Sequence, residues 1–263
     1  ALAGSTQISI GNVVGSNICN LTLVLGFTAV CYPIAVSKSS VKVDWMMAMG
    51  SSILLYFFIA KDQIVNTYEG IILFIIVVAY TYFLIDNARK DAKEKKAQDL
   101  EKSQEEQIPS LSKNELIKQI IFIVLGAFGL YLGSEWFVDG AKGIAQEFGV
   151  DETLIGLTIV ALGTSLPELV ASSMAAFKKE SDLAIGNLLG SSIFNILSIL
   201  GITSIIKTIN VPSIILERDI FWMLGITLLI LPMMLYKRKI ARWEGGILLV
   251  VYASYIYVLA QSV

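Results

Sequence analysis

"GNVVGSNICNLTLVLG", residues 11–26, and "GNLLGSSIFNILSILG", residues 186–201, carry the same pattern of glycine, serine and asparagine at an offset of 175. At that offset Asp44 meets Asp219 and Gly50 meets Gly225. Glu69-Gly70 meets Glu244-Gly245, and Tyr80 and Tyr82 meet Tyr255 and Tyr257. No gap is needed over about seventy residues. Isolated matches of small residues are common in an apolar chain, but a constant register across three apolar segments is not. The sequence therefore holds an internal repeat.

The composition says what is repeated. The chain has 263 residues, of which 55% are hydrophobic and 16% charged, with a mean hydropathy of +0.71. Ordinary soluble domains are about a quarter charged. Eight apolar segments read as membrane spans: 10–36, 42–60, 65–86, 116–146, 153–177, 182–206, 217–236 and 242–262. Each reaches the roughly 20 residues that a helix needs to cross a bilayer, and 10–36 and 116–146 exceed it. The fold class is thus an all-α polytopic membrane protein. Residues 1–86 form a first repeat, 87–115 a charged linker, and 116–263 a second repeat of five helices. The linker is rich in both signs of charge and poor in aromatics, which suits a solvated tether, helical at its start and mobile around Pro109.

Lys and Arg orient the spans. Sixteen of the twenty fall on the side of the linker, and Lys61, Lys142, Lys207 and Arg218 on the other. The linker is expected in the cytoplasm and the C-terminus outside. The segment from Gly11 then runs inward and its partner from Gly186 runs outward, so the repeats are inverted. Inverted repeats are an architecture of secondary transporters, with the substrate site near the midplane where the halves meet. The second repeat has two spans upstream of its "GNLLGSS", whereas the first has none here. Glu168 would map to position −7. The expectation is a chain lacking roughly sixty N-terminal residues, with ten spans when complete.

Glu168 lies inside span 153–177, in "GTSLPELVASSM" from Gly163. An unpaired carboxylate at that depth costs several kcal/mol, and no Lys, Arg or His shares the depth. That leaves a protonated acid or a bound cation. Thr164 and Ser165 precede Glu168 by four and three residues, on one face of a helix. Pro167 removes a backbone donor and Gly163 allows a bend, so carbonyls near Ala161 and Thr164 are expected to lose their partners. Asn12, Ser16 and Asn20 form a polar stripe at i, i+4, i+8, as do Asn187, Ser191 and Asn195. Gly11 and Gly15, like Gly186 and Gly190, have the small-xxx-small spacing of close helix packing. Carboxylate, hydroxyl, amide and carbonyl are hard oxygen donors suited to Ca²⁺ or Na⁺. Serine, threonine and asparagine also act as simple interhelical hydrogen-bond partners. For single residues such as Asn12, Asn187 or Ser192 that bland reading stands beside the functional one. Glu135 and Asp139 read as lying near the outer mouth, and Asp44, Asp219, Glu69 and Glu244 as helix-start acids serving caps and dipoles.

"GTSLPEL" followed by "GNLLGSSIFN", with a second "GNVVGSNICN", resembles the sodium/calcium exchanger family of cation antiporters in its prokaryotic branch. The resemblance spans the whole chain. It implies ten helices in two inverted halves and alternating access, with Ca²⁺ exchanged for Na⁺. It also implies Glu168, Thr164, Ser165, Ser191, Asn195 and the Ala161 carbonyl as ligands from the second half, and Ser16 and Asn20 from the first. Asn195 stands where members can carry Asp, which bears on Na⁺ stoichiometry and proton coupling. Ser192 replaces the Asn of the usual "GSN", which bears on packing.

Other classes find less support. A Ca²⁺/H⁺ exchanger would use the same carboxylate as a proton carrier. A passive channel fits broken helices at a repeat interface less well than alternating access does. An intramembrane enzyme lacks the means: there is no His, and neither HExxH nor GxSxG occurs. No cofactor is expected beyond the transported ions. The partners expected are calcium, sodium and the lipid bilayer, not nucleic acid. Cys19 and Cys31 read as small buried hydrophobes, not a disulfide.

Overall fold

The computed structural model describes residues 6–102 and 113–261. Among them, eight helical spans are long and apolar enough to cross a membrane. They are α1 (Ile8–Cys31), α2 (Ser40–Asp62), α3 (Thr67–Lys90), α4 (Glu115–Glu147), α5 (Glu152–Phe177), α6 (Ser181–Ile206), α7 (Ile215–Arg238) and α8 (Arg242–Ala260). The helix of α3 runs on to Lys102, into the charged segment. The stretch around Pro109 lies outside the described residues.

The first span is shorter than 10–36. Pro33 forces Tyr32 into an extended conformation (φ −136°, ψ 106°), and the helix stops at Cys31. The residues beyond it pair instead. Strand β1 (Ile34–Ala35) is antiparallel to β4 (Lys239–Ile240), and β2 (Ile64–Val65) to β3 (Ile209–Asn210). These two-residue ribbons are the only departures from helix that the all-α expectation did not include among the described residues.

The ribbons also carry the symmetry. Ile34 faces Ile240, and at the offset of 175 that pair becomes Ile209 facing Val65, which is the register observed. Val36 N–H donates to the Arg238 carbonyl at 2.8 Å, and Val211 N–H to the Gln63 carbonyl at 2.8 Å. β1 and β4 close one end of the bundle; β2 and β3 close the other. α1 therefore runs from the β2–β3 end to the β1–β4 end, and α6 runs the opposite way. The inversion inferred from charge is thus present in the strand pairing, which owes nothing to charge. Helix irregularities repeat as well. π-helical turns occupy Asn20–Val24 and Asn195–Leu200, and again Ser40–Trp45 and Ile215–Asp219.

Lipid tails are as apolar as leucine, so helices in a bilayer are held by close packing and hydrogen bonds. Glycine sets the closest approaches. A Cβ on Gly26 would lie 2.9 Å from the Gly245 carbonyl, and one on Gly70 would lie 2.8 Å from the Gly201 carbonyl. These crossings, α1 on α8 and α6 on α3, are repeat mates. α1 is the buried centre, with 83% of its apolar window inside the protein, whereas none of the α4 window is. Ile75, Ile123, Leu228 and Val250 are more than half exposed, as lipid-facing side chains are.

Candidate cation site

α5 is not one continuous helix. A π-helical turn at Gly156–Val160 leads into a short helical turn, and Ser165 (φ −91°, ψ −4°) separates it from Leu166–Phe177. Pro167 sits in the first turn of that second half, where its missing N–H is least costly. Thr164, Ser165 and Glu168 are therefore not three steps along one regular helix. Thr164 is exposed and its hydroxyl reaches Asn12 Oδ1 on α1 at 2.9 Å. Ser165 is 1% exposed.

Of the two regions where carbonyls were expected to lose their helical partners, the proline acts beside Thr164, at Gly163, and not at Ala161. A helical N–H at position 167 would bond to the carbonyl of Gly163. That carbonyl instead accepts from the Ser134 hydroxyl of α4 at 2.5 Å. The Ala161 carbonyl keeps its partners: Ser165 N–H donates to it at 3.1 Å and the Thr164 hydroxyl lies 3.2 Å away. Freed carbonyls near Ala161 are thus not what the break produces. The bend is held by α4, a contact no motif announced.

α1 and α6 cross at their polar stripes. Asn20 Nδ2 donates to Ser191 Oγ at 3.1 Å, and Asn195 Nδ2 donates to Ser16 Oγ at 3.0 Å. The two bonds are exchanged by the repeat symmetry. They stand where each helix enters its π-helical turn, a distortion often found at functional sites. One residue off the stripe, Asn17 is 1% exposed. It donates to the Ser192 carbonyl at 3.3 Å and accepts from Asn195 at 3.1 Å. Sequence reasoning passed over Asn17; the signal available was that Asn17 and Ser192 are one polar position of the GNxxGSxxxN core at which the two repeats differ.

α5 meets this crossing from the side. Cys19 on α1 lies beside Ser165, though not in hydrogen-bond geometry, and within the field of Glu168. Asn187 on α6 donates to Ser172 at 2.9 Å. Glu168, Thr164 and Asn187 line a cavity of about 570 Å³ together with Ser134 and Glu135 of α4. Glu135 thus shares a cavity with Glu168. Three buried side-chain oxygens here have no hydrogen-bond partner: Asn20 Oδ1, Ser165 Oγ and Glu168 Oε2. Each such atom costs about 1–3 kcal/mol when left unsatisfied. Among the described residues no three of His, Cys, Asp and Glu come together. The arrangement is one carboxylate among neutral oxygens, a donor set for a hard cation.

The remaining intramembrane acids divide. Glu69 accepts from Asn66 N–H at 2.8 Å and Glu244 from Ala241 N–H at 2.7 Å, so both are caps. Asp44 and Asp219 are not. Asp44 accepts from the Tyr80 hydroxyl at 3.1 Å, and the fully buried Asp219 pairs with Arg218 at 2.8 Å.

The family model of the sodium/calcium exchanger protein matches residues 1–85 and 118–261. The chain belongs to the sodium/calcium exchanger family. It is 37% identical over 268 residues to the protein named CaxA in Alkalimonas amylolytica, covering all of this chain and 81% of that one. To the sodium/calcium exchanger MaX1 of Methanosarcina acetivorans it is 30% identical, covering 98% of this chain and 83% of the other. A solved structure of the sodium-calcium exchanger NCX_Mj, soaked with Na⁺ and Sr²⁺, superposes with a TM-score of 0.73 at 29% identity. That match covers 96% of this chain and 77% of NCX_Mj. The fold is therefore the inverted-repeat fold of membrane exchangers, and the coarse function is cation antiport across a membrane.

Proposed function

We propose that the chain exchanges Ca²⁺ for Na⁺ by alternating access, and that Glu168, Ser165, Thr164, Ala161, Ser191, Asn195, Ser16 and Asn20 surround the transported ion. The observation that carries this is the group of three buried oxygens without donors, Asn20 Oδ1, Ser165 Oγ and Glu168 Oε2. They come from α1 and the broken α5, beside the paired amide–hydroxyl bonds of α1 and α6. A cation supplies what each oxygen lacks. Glu168 supplies the charge, the hydroxyls and amides complete the coordination, and the Ala161 carbonyl, already hydrogen-bonded, is the least available of the eight. Ca²⁺ and Na⁺ both take such oxygen shells, which lets them compete for one site.

Residues 1–86 and 116–263 then act as the two repeats that rock against each other around this site. Residues 87–115 join them on the cytoplasmic side of a prokaryotic plasma membrane, with the C-terminus outside, in keeping with the Lys and Arg bias. A proton-coupled reading uses the same carboxylate with H⁺ in place of Na⁺.

The test is uptake of labelled Ca²⁺ into proteoliposomes of the protein. An outward Na⁺ gradient is expected to drive accumulation, and a pH gradient in Na⁺-free buffer is expected not to. Uptake driven only by the pH gradient overturns Na⁺ coupling in favour of H⁺.

A further inference from the structure

The two ribbon-capped turns at opposite ends of the bundle lead into equivalent strand pairs but differ in side chains and in backbone. At the end of α7, Lys237 and Arg238 both have left-handed backbones (φ 51° and 49°) before β4 begins at Lys239. After α2, the repeat counterparts are Asp62, Gln63 and Ile64, with Gln63 at φ 58°. An equivalent strand pair is thus reached from an acid, an amide and an aliphatic residue, with Gln63 as the single left-handed position. The strand pairing itself does not call for the basic run Lys237-Arg238-Lys239.

The basic turn also borders a cavity. A space of about 750 Å³ opens between the ends of α7 and α8 and the α1–α2 connection. Its apolar wall is Pro33, Leu229, Pro232 and Met233, and its rim is Tyr236, Lys237, Lys239 and Trp243. Lys237 Nζ lies 5.3 Å from the Tyr236 ring centroid. Tyr236 and Trp243 are more than half exposed. The one carboxylate that lines it, Glu244, is 2% exposed and engaged as the α8 cap. Positive charge alone is ordinary at one face of a membrane protein. Positive charge over an apolar cleft, framed by interfacial Tyr and Trp, is a more specific combination: cations for a phosphate, aromatic rings at headgroup depth and an aliphatic wall for acyl chain.

We propose that this cleft binds one anionic phospholipid, with its phosphate between Lys237 and Lys239 and its acyl chains along Pro33, Leu229 and Pro232. The proposal depends on the span ends, not on which ion is exchanged. Binding is read separately from transport.

The test uses the purified protein in phosphatidylcholine vesicles containing a minority of brominated phosphatidylglycerol or, in parallel, brominated phosphatidylcholine. Trp243 emission is obtained by subtracting the signal of Trp243→Phe. Phosphatidylglycerol is expected to quench it preferentially, and salt is expected to weaken the preference. Lys237→Gln with Lys239→Gln is expected to lower the preference about tenfold, since each lysine near an anionic surface contributes measurably. Gln63 shows that glutamine accepts a left-handed backbone like that of Lys237, and Lys239 is extended, which any residue adopts. Lys61→Gln, at the repeat counterpart of Tyr236, is expected to leave it unchanged. Equal quenching by the two lipids, or an undiminished salt-insensitive preference in the double variant, overturns the proposal. Displacement of the lipid by free glycerol phosphate overturns it too, by making this a site for soluble anions.

Discussion

Gly11 and Gly15 on α1 and Gly186 and Gly190 on α6 are the same motif at the same repeat positions, yet their surroundings differ. A Cβ on Gly15 would lie 2.5 Å from the Leu157 carbonyl and 2.8 Å from its Cα; one on Gly11 would lie 3.1 Å from the Thr153 carbonyl. On α6, among the described residues, nothing lies within 4 Å of a Cβ at Gly186 or Gly190. The first pair is filled by α5, which brings Ser165 and Glu168 to the α1–α6 crossing. The difference teaches that small-xxx-small spacing states a capacity for close packing. What fills it decides whether a glycine is structural. Here the filled groove is also the one that positions the candidate ligands.

The largest effect is expected at Gly15. Leucine there must displace backbone, and a cost of about 3 kcal/mol or more is expected, read as a lowered unfolding temperature in detergent. Gly15→Ala is expected to cost about 1–3 kcal/mol for the same reason. In the chain of residues 1–263, which does not include a first-repeat mate of α5, Gly190→Ala is expected to stay within about 0.5 kcal/mol, as an uncrowded substitution does. A cost at Gly190 equal to that at Gly15 would break the comparison and show that this face, too, is covered.

A control comes from glycines that match in both repeats. Gly26→Ala and Gly201→Ala are both expected to destabilise, by about 1–2 kcal/mol, with Gly201 at the lower end because its Cβ would lie 3.2 Å from the nearest atom against 2.9 Å at Gly26. A large disparity between the two would mean that the repeats are less alike than their ribbons suggest.

Effects of about 1–2 kcal/mol are expected at the amides. Asn20→Ala removes one bond, to Ser191, and about 1 kcal/mol is expected. Asn195→Ala removes bonds to both Ser16 and Asn17, leaving the buried Asn17 oxygen without this donor, and about 2 kcal/mol is expected. Equal losses would assign no weight to Asn17.

The spans were legible because a bilayer imposes length and apolarity directly on sequence. The inversion was legible because an ungapped register and a Lys/Arg bias are both one-dimensional. What hydropathy could not show is which spans are central. α1 and α4 are both apolar, and one is buried while the other faces outward, because leucine packs against lipid as readily as against protein. The break in α5 was legible from Gly163 and Pro167, but its consequence was not. The carbonyl that loses its partner is fixed by helix arithmetic as Gly163, and that it is covered by Ser134 depends on where α4 lies. Glu69 and Glu244 read correctly as caps because capping is local. Asp44 and Asp219 did not, because their partners Tyr80 and Arg218 depend on tertiary approach and on a residue present in only one repeat. Asn17 was hidden by its place one step off a regular stripe.

The central claim is that Glu168, with the buried oxygens around it, holds the transported cation. Glu168→Gln keeps the shape and removes the charge, so it separates a ligand from a packing residue. Na⁺-driven uptake of labelled Ca²⁺ by this variant in proteoliposomes, alongside its unfolding temperature, tests the claim most directly. The account predicts loss of at least about 2 kcal/mol of ion binding, a thirtyfold or greater fall in uptake at low Ca²⁺, with folding retained. Uptake at the level of the unaltered protein would contradict it.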